Sequence, residues 1–169
     1  IATRMVTGDQ STTAQAIARE VGLSREEGHL DMLDSSQLDK LEPDVLRGLA
    51  TRIDVFSRVS PAHKLEIVQA LQKADRVVGM TGDGVNDGPA LRAADIGIAM
   101  GSEGTDVAQD VADVVIEDDN LESILVALEE GRTIYADIKK AVHFILSSNA
   151  GEVFLTAGML GVGLGEPLS

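Results

Sequence analysis

Along the chain, short apolar runs alternate with stretches in which apolar side chains recur every three to four positions. Such runs read as buried strands and such stretches as amphipathic helices. Ile1 to Thr7 reads as a strand whose apolar end, Met5-Val6, meets Thr7-Gly8-Asp9, and residues 11–21 have helical composition. Residues 30–33 suggest a short strand. Glu42-Pro43-Asp44 opens a helix reaching about residue 52, because proline fits a first helical turn. Val55 to Val59 predicts a strand. Ser60-Pro61 then starts a helix through Lys64, Ile67, Val68 and Leu71. Three more strands are expected over 77–81, 96–100 and 111–116, with a helix over 90–94. From Leu121 to about His143 the pattern predicts a long helix without proline. Strands alternating with helices imply an α/β fold with a parallel sheet.

That last helix runs into an apolar stretch. From Phe144 to Gly165, Glu152 is the only acid or base. These residues would span roughly 33 Å as a helix, enough for a ~30 Å hydrocarbon layer. Lys139, Lys140 and His143 lie just before it. Positive charge on that flank places residues 1–143 on the cytoplasmic side. The expected organisation is therefore a domain over 1–120, a helical stalk over 121–143 and a transmembrane helix over 144–165. A buried core helix is the other reading of the same stretch.

Composition narrows the chemistry. The 169 residues carry 14 basic and 28 acidic side chains, a net charge of −14. A surface this acidic repels phosphate backbones, which argues against nucleic acid as a partner. Cysteine is absent, so disulfides and thiolate chemistry are excluded. Aromatic residues make up 2%, too few for base-stacking platforms. The chain opens on Ile1 within a strand pattern, as a piece of a longer protein would.

In parallel sheets, ligands bind beyond the C-terminal ends of the strands. Two predicted strands end alike, in Thr7-Gly8-Asp9 and Thr81-Gly82-Asp83. Glycine allows the tight reversal there, and the carboxylate follows it. The second turn continues as Gly84-Val85-Asn86-Asp87-Gly88-Pro89-Ala90-Leu91, which gathers Asp83, Asn86 and Asp87. Two carboxylates and an amide supply oxygen ligands for a hard divalent cation such as Mg2+, which also binds phosphate oxygens.

The run TGDGVNDGPALRAADIGIAMG resembles the hinge motif of P-type ATPases, whose pattern is TGDGVNDAPAL followed by KxAxIGIAMG. Gly88 stands for the usual Ala and Arg92 for the usual Lys. Met5-Val6-Thr7-Gly8-Asp9 is similar to the family's upstream TGD motif. Residues 56–64, Phe-Ser-Arg-Val-Ser-Pro-Ala-His-Lys, are similar to its FARVSPxHK segment. Asp118-Asp119-Asn120 and residues 129–135 resemble the approach to its fifth membrane helix. Ser147-Ser148-Asn149-Ala150-Gly151-Glu152-Val153 is similar to that helix in type II calcium pumps of the sarco/endoplasmic-reticulum kind. The likeness is weakest over residues 23–52.

The resemblance implies a haloacid-dehalogenase-like, Rossmann-type parallel sheet and a pump driven by ATP. In that family an aspartate in a DKTGT motif accepts the phosphoryl group. This motif is expected upstream of Ile1, with the nucleotide-binding, actuator and other transmembrane parts also elsewhere. The implied roles are Mg2+ coordination for Asp83 with Asp87, phosphoryl contact for Asn86 and a positive charge at the phosphate for Lys64. Thr7 and Gly8 would lie near the phosphoryl group, and Asp9 would help to hold ATP or the hinge. Lys64 would otherwise read as a surface lysine, and His63 reads as structural or solvent-facing. The acids over 105–113 read as a solvated helix face. Asn149 and Glu152 share a helix face, being three residues apart. They are implied ligands of the transported cation, Ca2+, within a lipid membrane, and a carboxylate there is costly unless ligated. A free-standing haloacid-dehalogenase-like phosphatase is the alternative, although it needs an early DxD motif that this chain does not show. A non-catalytic assembly module is a third.

Overall fold

The computed structural model describes residues 1–23 and 29–161. Two compact units make up the chain, Ile1–Asn120 and Leu121–Ser169. In the first, β1 (Met5–Val6), α1 (Ser11–Glu20), β2 (Met32–Asp34), α2 (Ser35–Leu38), α3 (Pro43–Ala50) and β3 (Val55–Ser57) come in that order. Then follow α4 (Pro61–Lys73), β4 (Gly79–Gly82), a 3-10 turn (Val85–Asp87), α5 (Gly88–Ala93), β5 (Ile96–Met100), α6 (Asp106–Val111) and β6 (Val114–Ile116).

Two three-stranded sheets result, in the orders β1-β3-β2 and β4-β5-β6. Every pairing is parallel, as the alternating pattern requires. In the first sheet Val6 and Leu33 both register with Phe56. In the second Thr81 and Val114 both register with Ile98. One apolar cluster joins Leu33, Phe56 and Val59 to Ile67 and Leu71 of α4 and to Val78 and Ala90, with Val6 and Met80 packed against it. Helix α4 thus ties the first sheet to the residues around β4. Leu91, Ala99 and Ala108 form a smaller cluster that seats α5 and α6 beside β5.

Several predicted elements take different bounds. The strand expected over 1–7 pairs only at Met5–Val6, opposite a three-residue β3. The strand expected over 111–116 begins at Val114. The first residue of the expected strand, Val111, closes α6 over 106–111, within the stretch read as a helix face. Thr105 caps that helix, accepting from the Ala108 N–H (3.4 Å), and Ala108 is fully buried. Helix α2 was not expected. Asp34 nucleates it by accepting from the Ser36 N–H (2.8 Å), while Gln37 accepts from the Asp34 N–H (3.0 Å). Residues 24–28, within the stretch of weakest resemblance, lie outside the described residues.

The second unit is α7, a single 40-residue helix over Glu122–Gly161 with no buried residue. It covers the expected stalk and continues past it. Yet no helix among the described residues is long and apolar enough to cross a membrane, so the expected transmembrane helix over 144–165 is not supported. Length is not what fails, since forty residues would reach about 60 Å. Ser147, Ser148, Asn149 and Glu152 interrupt the apolar run between Leu146 and Val153. Residues 162–165 of the expected span lie outside the described residues.

Candidate active site

The chemistry-bearing turns sit at the C-terminal ends of the strands. Beyond β4, Asp87 is buried at 5% exposure. Its Oδ1 accepts from Lys64 Nζ at 2.5 Å, and its Oδ2 accepts from the Gly84 N–H at 3.4 Å. Gly82 makes this approach possible. A Cβ at position 82 would lie 2.6 Å from Asp87 Cβ and 2.9 Å from its carboxyl carbon. The glycine is therefore required by packing, at a residue whose φ is ordinary.

Lys64 lies in the first turns of α4, where a positive charge opposes the helix dipole. Its partner at the strand end offsets that cost. The helix start is fixed by a reciprocal cap. Ser60 Oγ accepts from the His63 N–H and His63 Nδ1 accepts from the Ser60 N–H, both at 3.3 Å. With Nδ1 accepting, Nε2 carries the proton and donates to Asp39 Oδ1 at 3.0 Å. His63 is thus structural, and it is not solvent-facing.

Asp83 and Asn86 are exposed on the same turn as Asp87. Among the described residues, neither side chain has a hydrogen-bond or ion-pair partner. The Asp83 main chain is anchored, its carbonyl accepting from the Thr105 N–H at 2.8 Å. The carboxylates of the turn thus divide: Asp87 is committed to Lys64, and Asp83 is open.

Beyond β1, Thr7 Oγ1 donates to Asp9 Oδ2 (2.9 Å) and accepts from the Asp9 N–H (3.1 Å). The turn is tied to the start of α4, because the Thr7 carbonyl accepts from Val59 N–H (3.1 Å) and the Asp9 carbonyl from Arg58 N–H (2.9 Å). Arg58 adopts φ 55°, a left-handed conformation that these bonds hold in place. Thr7, Gly8 and Asp9 are thereby connected through the main chain to the helix that carries Lys64.

Asn149 and Glu152 lie one turn apart on α7, both exposed, in the second unit. Thr156 Oγ1 donates to the Glu152 carbonyl at 2.8 Å. No group of three or more His, Cys, Asp or Glu side chains that could hold a metal ion occurs among the described residues.

Other polar features escape a reading of the sequence. Ser11, Asp34 and Ser57 line an open cleft of about 250 Å3. The Ser11 hydroxyl donates to Asp34 Oδ2 (3.1 Å) and shares a hydrogen bond with Ser57 (2.8 Å). Hydrogen bonds from Ser36 hold the Asp34 carboxyl below its ordinary pKa, with help from Ser11 and from the Arg58 charge. Asp113 accepts from the Gly97 N–H at 2.8 Å, so the acids over 105–113 are not all merely solvated.

The family model for haloacid dehalogenase-like hydrolases matches residues 1–95, the span that carries Thr7, Lys64, Asp83 and Asp87. The chain belongs to the haloacid dehalogenase-like hydrolase family. Within it, this hydrolase-family chain is 47% identical over 168 residues to a calcium-transporting ATPase of Bacillus cereus, covering 99% of this chain and 19% of that protein. It is 49% identical over 152 residues to a cation-transporting ATPase of Synechocystis sp., covering 90% of this chain and 17% of that protein. It is also similar to the solved structure of a zinc-transporting PIB-type ATPase in its E2.Pi state, at 29% identity and a TM-score of 0.67, over 94% of this chain and 21% of that one. The chain spans about a fifth of the length of the curated relatives it matches.

Proposed function

We propose that this chain is part of an ATP-driven cation pump in which formation and hydrolysis of an aspartyl phosphate power ion transport, with Ca2+ as the cargo. The observation that carries this reading is the Lys64–Asp87 pair at a strand end whose neighbouring carboxylate, Asp83, is open. The names of the relatives favour a pump over a free-standing phosphatase. The accepting aspartate is supplied from outside this chain, as are the nucleotide-binding, actuator and membrane-embedded parts. Residues 1–143 face the cytoplasm, where ATP is available.

Phosphoryl transfer needs its developing charge neutralised more than it needs acid–base work. Lys64 presents a fixed positive charge to the phosphoryl oxygens. Asp87 holds that ammonium in place and removes its freedom to swing into water. The donor set fits Mg2+, because this ion is held by one or two carboxylates and keeps several waters. Asp83 would be the principal ligand, with the second Asp87 oxygen beside it. When bound, the ion supplies further positive charge and fixes the phosphate oxygens. Asn86 offers an exposed amide N–H to the phosphoryl group. Thr7 and Gly8 offer main-chain groups beside the phosphoryl position, while the Thr7 hydroxyl is donated to Asp9, which stiffens that turn and helps to hold ATP or the hinge. On α7, Asn149 and Glu152 contribute two of the six to eight oxygens that Ca2+ takes, and the remainder come from segments outside this chain.

The test is Asp83→Asn in the longer pump. Turnover should fall by about 100-fold or more, with ion binding intact. Undiminished ATP hydrolysis in that variant removes Asp83 from the metal site. For the cargo, Glu152→Gln should shift the Ca2+ dependence of phosphoenzyme formation to higher concentration. An unaltered Ca2+ curve removes Glu152.

A further inference from the structure

We infer that Gln109 is a positioning residue for Asp83, acting through the loop between β5 and α6. The inference rests on the reading of Asp83 as a metal ligand and deepens it.

The Asp83 carboxylate has no side-chain partner to orient it, so its placement depends on its main chain. That main chain is held across the turn by the Thr105 N–H, which donates to the Asp83 carbonyl at 2.8 Å. Thr105 is the last residue of the 101–105 loop and caps α6. Where Thr105 sits is therefore where the loop puts it.

The loop is pinned from two sides. On its carbonyl side, Gln109 Nε2 donates toward Met100 O (3.1 Å), Gly101 O (2.5 Å) and Gly104 O (3.3 Å). On its amide side, the Asp119 carboxylate accepts from the Ser102 and Glu103 N–H groups at 3.0–3.1 Å. The loop also folds tightly on itself. A Cβ at Gly104 would lie 2.0 Å from the Met100 carbonyl oxygen, so only glycine permits the closure that brings these carbonyls around one donor. Gln109 is the one side chain, among the described residues, that bonds both ends of this loop.

The donor count is uneven. A glutamine amide has two N–H bonds, and three carbonyls converge on it. An ammonium carries three donors. Lysine at this position matches the three carbonyls in donor number, on a side chain one bond longer that must bend to place its ammonium among them, while methionine keeps the bulk and supplies no donor. This gives a loss variant and a rescue variant at one position, and neither touches Asp83.

The experiment uses the whole 169-residue chain. Amide hydrogen exchange and Mg2+ titration are followed by NMR for the unmodified chain, Gln109→Met and Gln109→Lys. The Thr105 amide should exchange about tenfold or more faster in Gln109→Met, while β4 and α4 amides keep their rates. The Mg2+ midpoint read at the Asp83 and Gly84 amides should rise about threefold or more. Both should return to the original values, or better, in Gln109→Lys. If Gln109→Met leaves Thr105 exchange and the Asp83 carbonyl shift unchanged, the positioning role is overturned. The same holds if Gln109→Lys fails to restore them. Should Gln109→Met not fold, slow Thr105 exchange and an unshifted Asp83 carbonyl in Gln109→Lys support the role, and loss of that protection in Gln109→Lys overturns it. A chain whose Asp83 amide ignores Mg2+ while Thr105 exchange still follows residue 109 would refute the metal reading and uphold the positioning one.

Discussion

At the scale of single residues, the site depends on one buried charge. Asp87 is withdrawn from water and tolerated there because Lys64 meets it. Truncating Lys64→Met strands that carboxylate, and removing one member of a buried pair typically costs about 3–5 kcal/mol. Urea unfolding should show a loss of that size, and Lys64→Met/Asp87→Leu should recover much of it. If the single variant unfolds at the original urea midpoint, the pair contributes no stability. Gly82→Ala tests the same pair from the backbone side. Its methyl would collide with Asp87 Cβ, and overpacking of this kind costs about 1–3 kcal/mol. The Lys64 Nζ resonance, followed by NMR, should move toward that of a free lysine. Asp34 gives a pH signature. Its folded pKa lies below the ordinary aspartate value of 3.8, because Ser36 hydrogen bonds favour the carboxylate. Its contribution to stability is therefore complete above 3.8 and is lost as the pH falls through the lower folded value. A 13C titration of the Asp34 carboxyl should place its midpoint below that of an exposed aspartate, and Ser36→Pro, which removes the amide donor, should raise it.

At the scale of elements, α4 connects the parts of the site. It carries Lys64 outward from a capped start and packs Ile67 and Leu71 into the main cluster. Losing the Ser60 cap should cost about 1 kcal/mol, measured as a lower urea midpoint for Ser60→Ala, and should loosen the Thr7–Asp9 turn next to it. The strands and α4 were legible in the sequence because burial imposes a period on them. The acids over 105–113 read as a helix face, and 106–111 are helical. What the pattern missed is the boundary, because Val111 closes α6 and the strand expected from 111 starts at Val114. Helix α2 escaped notice for another reason: it is a four-residue element made by a cap, with no apolar period to read.

At the scale of the molecule, every buried apolar side chain among the described residues falls between Ala14 and Ile116. A chain ending at Asn120 should therefore keep its fold, with a Tm within a few degrees of the full chain. A collapse of that fragment would show that α7 supports the first unit. Helix α7 has no buried residue, so its helicity rests on local propensity, and such helices melt gradually. Circular dichroism of the full chain should show a broad loss of helix below the cooperative transition. One sharp transition for all of the signal would contradict this.

The sequence alone determined the alternation of strands and helices, the two Thr-Gly-Asp turns and the kinds of side chain at the candidate site. These follow from local chemistry: burial sets periodicity, and tight turns select glycine. Only the tertiary structure decided which carboxylate is spent and which is open. Asp83 and Asp87 look equivalent on paper, yet Lys64, 23 positions away from Asp87, pairs with one of them. Gln109 likewise gains its place only when β5 and α6 fold its loop around it. Spacing along the chain cannot encode such choices, because they are made by groups that meet only after the core has closed.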